Sequence, residues 1–217
     1  MNTNLSLLDA IHTRRSVKQF DPEHRISRDT LREIIRHTIS APSSINLQPW
    51  RFVILDSPES KAKLSALVKT NTRQLETCSA MIAVIGDNHH LHYDHHILNQ
   101  SLQEGHMPAD VAEHYLAHID HYRQTLSPAQ IQNRSLIDAS LAAMQLMLIA
   151  KAYGYDTNAI GGFEREQTLK ALCLDPSRYV AVMLIAIGKA AKAGRSSSRM
   201  SLDYVLSFDD GLGLAQP

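Results

Sequence analysis

Cysteine is scarce in this chain. There are two in 217 residues, Cys78 and Cys173, far apart and in no C-x-x-C spacing. A disulfide framework is thereby excluded, and a reducing compartment suits the sequence. Net charge is missing as well: lysine plus arginine and aspartate plus glutamate number 22 each. That balance removes the basic excess that phosphate contacts to nucleic acid demand, and the polybasic character of a membrane-surface protein. Long apolar runs are absent too. The uncharged apolar stretches 139–150 and 179–188 fall short of the roughly 20 residues that span a bilayer. Residues 1–9 have neither the cationic start nor the apolar centre of a signal peptide. The expectation is a soluble, cytoplasmic protein. No G-x-G-x-x-G follows a strand-like run, and neither a Walker loop nor G-x-S-x-G occurs. Rossmann and P-loop nucleotide sites and the α/β-hydrolase nucleophile are therefore not indicated.

What is present is an ordinary globular composition, 44% hydrophobic and 20% charged, in a length that suits one domain spanning 1–217. Periodicity predicts an opening helix over 5–13 and a second from the N-cap Ser27, with Leu31, Ile34, Ile35, Thr38 and Ile39 in one stripe. A strand is expected at 51–55, and Ser57-Pro58 opens a helix to about Val68. The run 80–86 is apolar throughout, as in a strand covered on both faces. Residues 87–126 hold nine of the twelve histidines and read as a helical insertion. A long helix follows from Ser127-Pro128 to Tyr153, with Ile137, Leu141, Met144 and Leu148 along one face and Gly154 as its stop. Further strands are expected at 179–188 and, in the tail, at 204–208. The class is α+β, with the long tail suggesting an interlocked dimer.

Four segments carry candidate chemistry. Arg14-Arg15-Ser16-Val17-Lys18 packs three cations and a hydroxyl into five residues. It reads either as an anion site, since guanidinium forks suit phosphate, or as a solvated helix end whose cations complement the dipole. Residues 41–50 bracket Ser43, Ser44, Asn46 and Gln48 between Pro42 and Pro49 before the only tryptophan. They are either a stiff ligand-holding loop or a self-satisfied connection. In Ile160-Gly161-Gly162-Phe163, two glycines bring backbone N–H groups to a helix start, where a ligand can approach without Cβ interference. In the tail, Lys189, Arg195 and Arg199 form a second cationic stretch. His114 and His118 share a helix face, but no H-E-x-x-H occurs and no metal site is expected. These loops hold binding groups rather than general acids and bases, which fits a protein whose cofactor does the chemistry.

Taken together, Arg14-Arg-Ser-x-Lys18, Ala41-Pro-Ser-Ser-x-Asn-x-Gln-Pro-Trp50 and Ile160-Gly-Gly-Phe163 resemble the FMN-dependent nitroreductase family, from about Leu7 to Arg199. The resemblance implies a central, mostly antiparallel sheet flanked by helices. It also implies an intertwined homodimer with exchanged C-terminal arms and FMN at the subunit interface. Arg14 and Ser16, assisted by Arg15, would hold the phosphate and ribityl chain, and Lys18 the pyrimidine edge. Pro42, Ser43, Ser44 and Asn46 would reach FMN from the other subunit. Asn71 and Gln74 would lie along its pyrimidine side. Ile160, Gly161 and Gly162 would face N5, and Arg199 with Lys189 would complete the phosphate site. The activity implied is ping-pong hydride transfer from NAD(P)H through FMN to a nitroaromatic, quinone or similar small acceptor. The same fold also serves reductive dehalogenation and flavin fragmentation, and a non-catalytic, His-rich metal-binding protein is a reading of another class. Two departures stand out: Gly161 occupies a position where many relatives are acidic, and Ser197 one where some have lysine.

Overall fold

The computed structural model of the chain describes residues 5–215. Six residues of the expected 1–217 domain, the first four and last two, lie outside that range. Four strands, β1 (Trp50–Leu55), β2 (Ala80–Asp87), β3 (Asp156–Ile160) and β4 (Tyr179–Gly188), form one sheet. Its order is β1-β2-β4-β3, with every neighbouring pair antiparallel. β2 is central and buried at all eight positions. Alternation then divides its side chains between two cores.

Eight helices surround the sheet. They are α1 (Leu7–Thr13), α2 (Arg28–Thr38), α3 (Pro58–Ala62), α4 (Thr72–Thr77), α5 (Asp94–Gln103), α6 (Ala109–Thr125), α7 (Pro128–Ala152) and α8 (Arg165–Ala171). Their starts follow local chemistry. Ser27 and Ser57 accept N–H bonds from Thr30 and Ser60, and Ser127 pairs with Gln130 in a capping box ahead of Pro128. Just beyond α7 the chain turns at Gly154, whose φ of 77° is one that glycine adopts without Cβ strain.

On one sheet face, Ile34 of α2 and Ala142, Leu146 and Ala150 of α7 pack with Ile82, Val84, Ile185 and Ile187. Gly86 permits α7 to lie this close, because a Cβ there would stand 2.9 Å from that of Ser135. α7 is long and apolar enough to cross a membrane by length and composition alone, but this packing makes it the core helix. On the opposite face, Phe20, Leu64, Val68, Leu75 and Phe163 cover Met81, Ala83, Ile85 and Leu184. The insertion, α5 and α6, has a small core of its own around Leu91, Leu98 and Ile119. Ile45 and Leu47 of the 41–50 loop join that core.

Two expectations are corrected. The helix from Ser57 stops at Ala62, not near Val68. Leu64 and Leu67 continue in tighter i→i+3 turns that bury Leu64 and Val68 in the second core, so tertiary burial overrides helix periodicity. The expected strand at 204–208 is instead a short 3-10 turn, Leu202–Tyr204, with Leu206 N–H bonded to the Leu202 carbonyl. Among the described residues, 202–208 pair with no strand of the sheet.

Candidate active site

The segment after α1 is drawn out along the sheet. Ser16 forms a parallel bridge with Thr157 of β3, and Val17 N–H donates to the Thr157 carbonyl at 3.0 Å. Val17 is buried beneath, while Ser16 and Lys18 alternate outward. The parallel direction carries Lys18 toward the end of β3, where Ile160 leads into Gly161 and Gly162. The tail returns along the same segment. Asp21 N–H donates to the Lys189 carbonyl and Ala191 N–H to that of Gln19. Gly194 then packs so closely that a Cβ would meet that of Arg15 at 2.5 Å. Arg14, Arg15, Ser16, Lys18 and the glycine turn thus share one edge of the molecule.

Asn71 and Gln74 join this group. Gln74 donates to Asn71 Oδ1 at 3.0 Å, and Asn71 Nδ2 donates to the Gly162 carbonyl at 3.3 Å and to that of Val68 at 3.1 Å. The two amides therefore brace the glycine turn from behind. Gly161 is exposed, and a Cβ there would meet nothing within 4 Å, so its side-chain face is open. Cations, a hydroxyl and uncovered backbone at one edge suit a flat, anionic, hydrogen-bonding group such as FMN.

The second predicted group lies elsewhere. Residues 42–48 turn tightly, with Ile45, Asn46 and Gln48 at φ of 53°, 54° and 46°. For a β-branched residue such as Ile45 this is unusual backbone, costing of order 1–3 kcal/mol per residue. The loop is held by its own polar atoms: Gln48 N–H donates to Ser43 Oγ and Gln48 Nε2 to Asn46 Oδ1. It is also held by Asp138 of α7, which accepts the Ser44 N–H at 3.0 Å and the Ser44 hydroxyl at 3.3 Å. Burial pushes the Asp138 carboxyl up, and the Ser44 bonds with the charges of His90 and Arg134 offset only part of that. Among the described residues no hydrogen bond links this loop to the Arg14–Lys18 edge.

The tail cations are engaged locally. Lys189 donates to the Gly154 carbonyl and lies 4.9 Å over the Tyr155 ring. Arg199 bonds Ser197 Oγ at 2.6 Å and the Ser198 carbonyl at 2.9 Å, and Arg195 is exposed. Among the described residues no group of three or more His, Cys, Asp or Glu is arranged to hold a metal ion. His114 and His118 line a cavity of about 350 Å³ with Ile45 and Tyr115.

Residue reading alone missed two anchors. Asp138 is one; its signal was a lone acid inside an otherwise apolar helix. The other is Asp87, fully buried at the root of the insertion, which accepts from Arg178 Nε and Nη2 at 2.9 and 2.8 Å and from Arg51 Nη2 at 3.1 Å. Its partners are distant in sequence, so no local motif announced it.

Comparison with known proteins bears on this arrangement. A profile described as "Nitroreductase family" matches residues 11–189. A Bacillus subtilis protein provisionally named NAD(P)H nitroreductase YdgI is 42% identical over 202 residues, covering 93% of this chain and 96% of that protein. A Lactiplantibacillus plantarum protein named CLA biosynthesis enone reductase is 39% identical, covering 90% and 91%. Among solved structures, a provisionally assigned nitroreductase from Exiguobacterium sibiricum 255-15, crystallised in complex with FMN, superposes with a TM-score of 0.91 at 38% identity. That match covers 94% of this chain and 97% of the other.

Proposed function

The chain belongs to the nitroreductase family of oxidoreductases, and on that premise we propose that it is an FMN enzyme. It would oxidise NAD(P)H and reduce a small conjugated acceptor, a nitroaromatic, quinone or enone. The observation that carries the reading is the pair of half-sites. The Arg14–Lys18 edge with its glycine turn, and the 42–46 loop, each present binding groups to solvent. Each is complete only when a second copy supplies the other. The proposal is therefore a homodimer with FMN at the subunit interface.

Bound FMN would supply hydride acceptance from the nicotinamide and hydride delivery to the acceptor. The chain's own residues do the rest. Arg14, with Ser16 and Arg15, grips the phosphate and fixes where the ring lies. Lys18 places a cation at the pyrimidine edge, where negative charge develops. Asn71 and Gln74 hold the glycine turn so that backbone N–H groups of Gly161 and Gly162 face the reacting edge, with no side chain in the way. From the second subunit, Pro42, Ser43, Ser44 and Asn46 close the site. Arg199, with Lys189, would complete the phosphate site, exchanging its exposed local bonds to Ser197 and Ser198 for the phosphate. Donor and acceptor use the same open slot in turn, a ping-pong order. Both cysteines are free, which suits the reducing cytoplasm.

The test is an anaerobic visible spectrum of the FMN-reconstituted protein before and after NADH or NADPH. A two-banded flavin spectrum that bleaches supports the reading, and failure to take up FMN sinks it. Arg14→Ala should weaken FMN affinity roughly tenfold to a hundredfold, the scale of a lost charge-assisted bond; titration by flavin fluorescence measures it. Lys18→Ala should instead retain FMN and slow its reduction by a factor on the order of ten to a hundred in stopped flow. Unchanged reduction kinetics would remove that role from Lys18.

A further inference from the structure

We propose that Asp138 is a positioning residue, which holds the 43–46 loop in its ligand-ready shape by accepting both the backbone N–H and the hydroxyl of Ser44. The inference rests on the FMN reading above and assigns a task to a buried acid that touches no part of the proposed cofactor.

Three observations converge on it. First, the loop is in a conformation that its sequence does not favour. Ile45, Asn46 and Gln48 all have left-handed φ, and none is glycine. Residues in such regions persist only where surrounding contacts over-determine them. Second, the contacts are few and identifiable. Ile45 and Leu47 are pinned by the apolar core of the insertion, Ser43 and Asn46 are tied to Gln48, and the N–H and hydroxyl of Ser44 are tied to Asp138 at 3.0 and 3.3 Å. Third, Asp138 is 2% exposed on the sheet-facing side of α7. A carboxylate there costs free energy unless its hydrogen bonds repay it. Most buried positions of α7 are alanine or leucine, as at Ala139, Ala142 and Leu146.

The arrangement also links two parts of the molecule. One turn before Asp138, Ser135 donates to the Asp87 carbonyl at 3.3 Å, and that carbonyl also accepts from His90 Nδ1 at 2.8 Å. A single turn of α7 therefore grips the root of the insertion with Ser135 and the loop with Asp138. The loop's shape is set by the rigid core helix rather than by the ligand on arrival. Such preorganisation shows as affinity, because the ordering cost is met before binding.

The experiment compares FMN dissociation constants of the full-length wild type, Asp138→Leu, Asp138→Ala and Asp138→Asn by fluorescence quenching. Thermal unfolding and amide exchange of the apoproteins accompany it. Leucine fills the volume of aspartate without an acceptor, so it keeps the test open if the alanine variant does not fold. Asparagine still offers Oδ1 to the Ser44 N–H. The expected result is an FMN dissociation constant raised about tenfold or more in the leucine and alanine variants. Ser44 amide exchange should be faster in both, with affinity restored to within about threefold of wild type by asparagine. A folded leucine or alanine variant with wild-type FMN affinity and a protected Ser44 amide would overturn the inference. So would an asparagine variant as weak as leucine. Wild-type protein that takes up no FMN points to a different failure, that of the FMN reading itself. In that case the Ser44 exchange comparison still decides whether Asp138 holds the loop.

Discussion

Replacing Asp87 by alanine should lower stability by about 3 kcal/mol, which for a chain of this size corresponds to a fall in Tm of roughly 6–12 °C. The Asp87 carboxylate is fully buried and accepts from Arg178 twice, from Arg51, and from the His89 N–H at 3.0 Å. Removing it leaves two guanidinium groups facing a pocket with no counter-charge. The Arg51 and Arg178 side chains are 33% and 31% exposed. Water therefore reaches them and holds the cost near the low end of what breaking a buried pair entails.

The pH dependence carries a second signature. Burial pushes the Asp87 carboxyl up, but the Arg178 bonds, the His89 N–H and the two guanidinium charges outweigh it, and the net direction is down. A group lowered in the folded state stabilises above its unfolded value and loses that contribution as pH falls through its folded value. The gap between wild type and Asp87→Ala should therefore be flat above about pH 4 and close below it. His90 acts in a separate window. Burial lowers its imidazole further than the Asp87 carbonyl and nearby carboxylates raise it. Stability then declines as pH drops below about 6.5, because the unfolded chain takes the proton first. Denaturant melts across pH 3–8 would separate the two. A gap that stays constant down to pH 3 would show that the Asp87 carboxyl is not lowered in its pocket.

Much of this molecule is legible in its sequence because the informative signals are local. Ser27, Ser57 and Ser127 mark helix starts that the hydrogen bonds confirm, and the apolar run from Tyr179 to Gly188 is β4 from end to end. Legibility fails where a distant partner decides. Leu64 and Val68 have helical spacing but are drawn into turns by the core. The stretch 204–208 has strand composition but pairs with no strand among the described residues. α4 (Thr72–Thr77) is too short to show a period, yet it places Gln74 beneath the glycine turn. α7 shows the limit most clearly. Periodicity finds apolar faces all round it, but only the folded chain shows which are used. Ala139, Ala142 and Leu146 meet the sheet, whereas Ile137, Leu141 and Met144 face outward.

That outward face supports the second large effect. On the homodimer reading, changing Leu141 and Met144 together to aspartate should convert the protein to monomers and abolish tight FMN binding, with the fold intact. Both side chains line a groove of about 790 Å³, walled by α1 residues Leu7 and Ala10 and by Tyr153, with Pro42 of the loop at its rim. Around it Leu7, Leu8 and Ile11 of α1 and Ile137 of α7 are exposed as well. In the homodimer proposed above, this apolar surface is the face that the second subunit would cover. The position of Pro42 ties that interface to the loop half-site. Because a two-fold contact uses each residue twice, four partly buried side chains are lost at about 1 kcal/mol each, roughly a thousandfold in dimer dissociation. Buried carboxylates add to the cost. Leu141 and Met144 are already 45% and 41% exposed in the single chain, so circular dichroism should report an unchanged fold. Sedimentation velocity should report the monomer. The decisive comparison is FMN affinity in that monomer. If the two half-sites belong to different subunits, affinity falls by at least two orders of magnitude together with dimerisation. A folded monomer that binds FMN as tightly as wild type would place the whole site within one chain and remove the reason for a dimer.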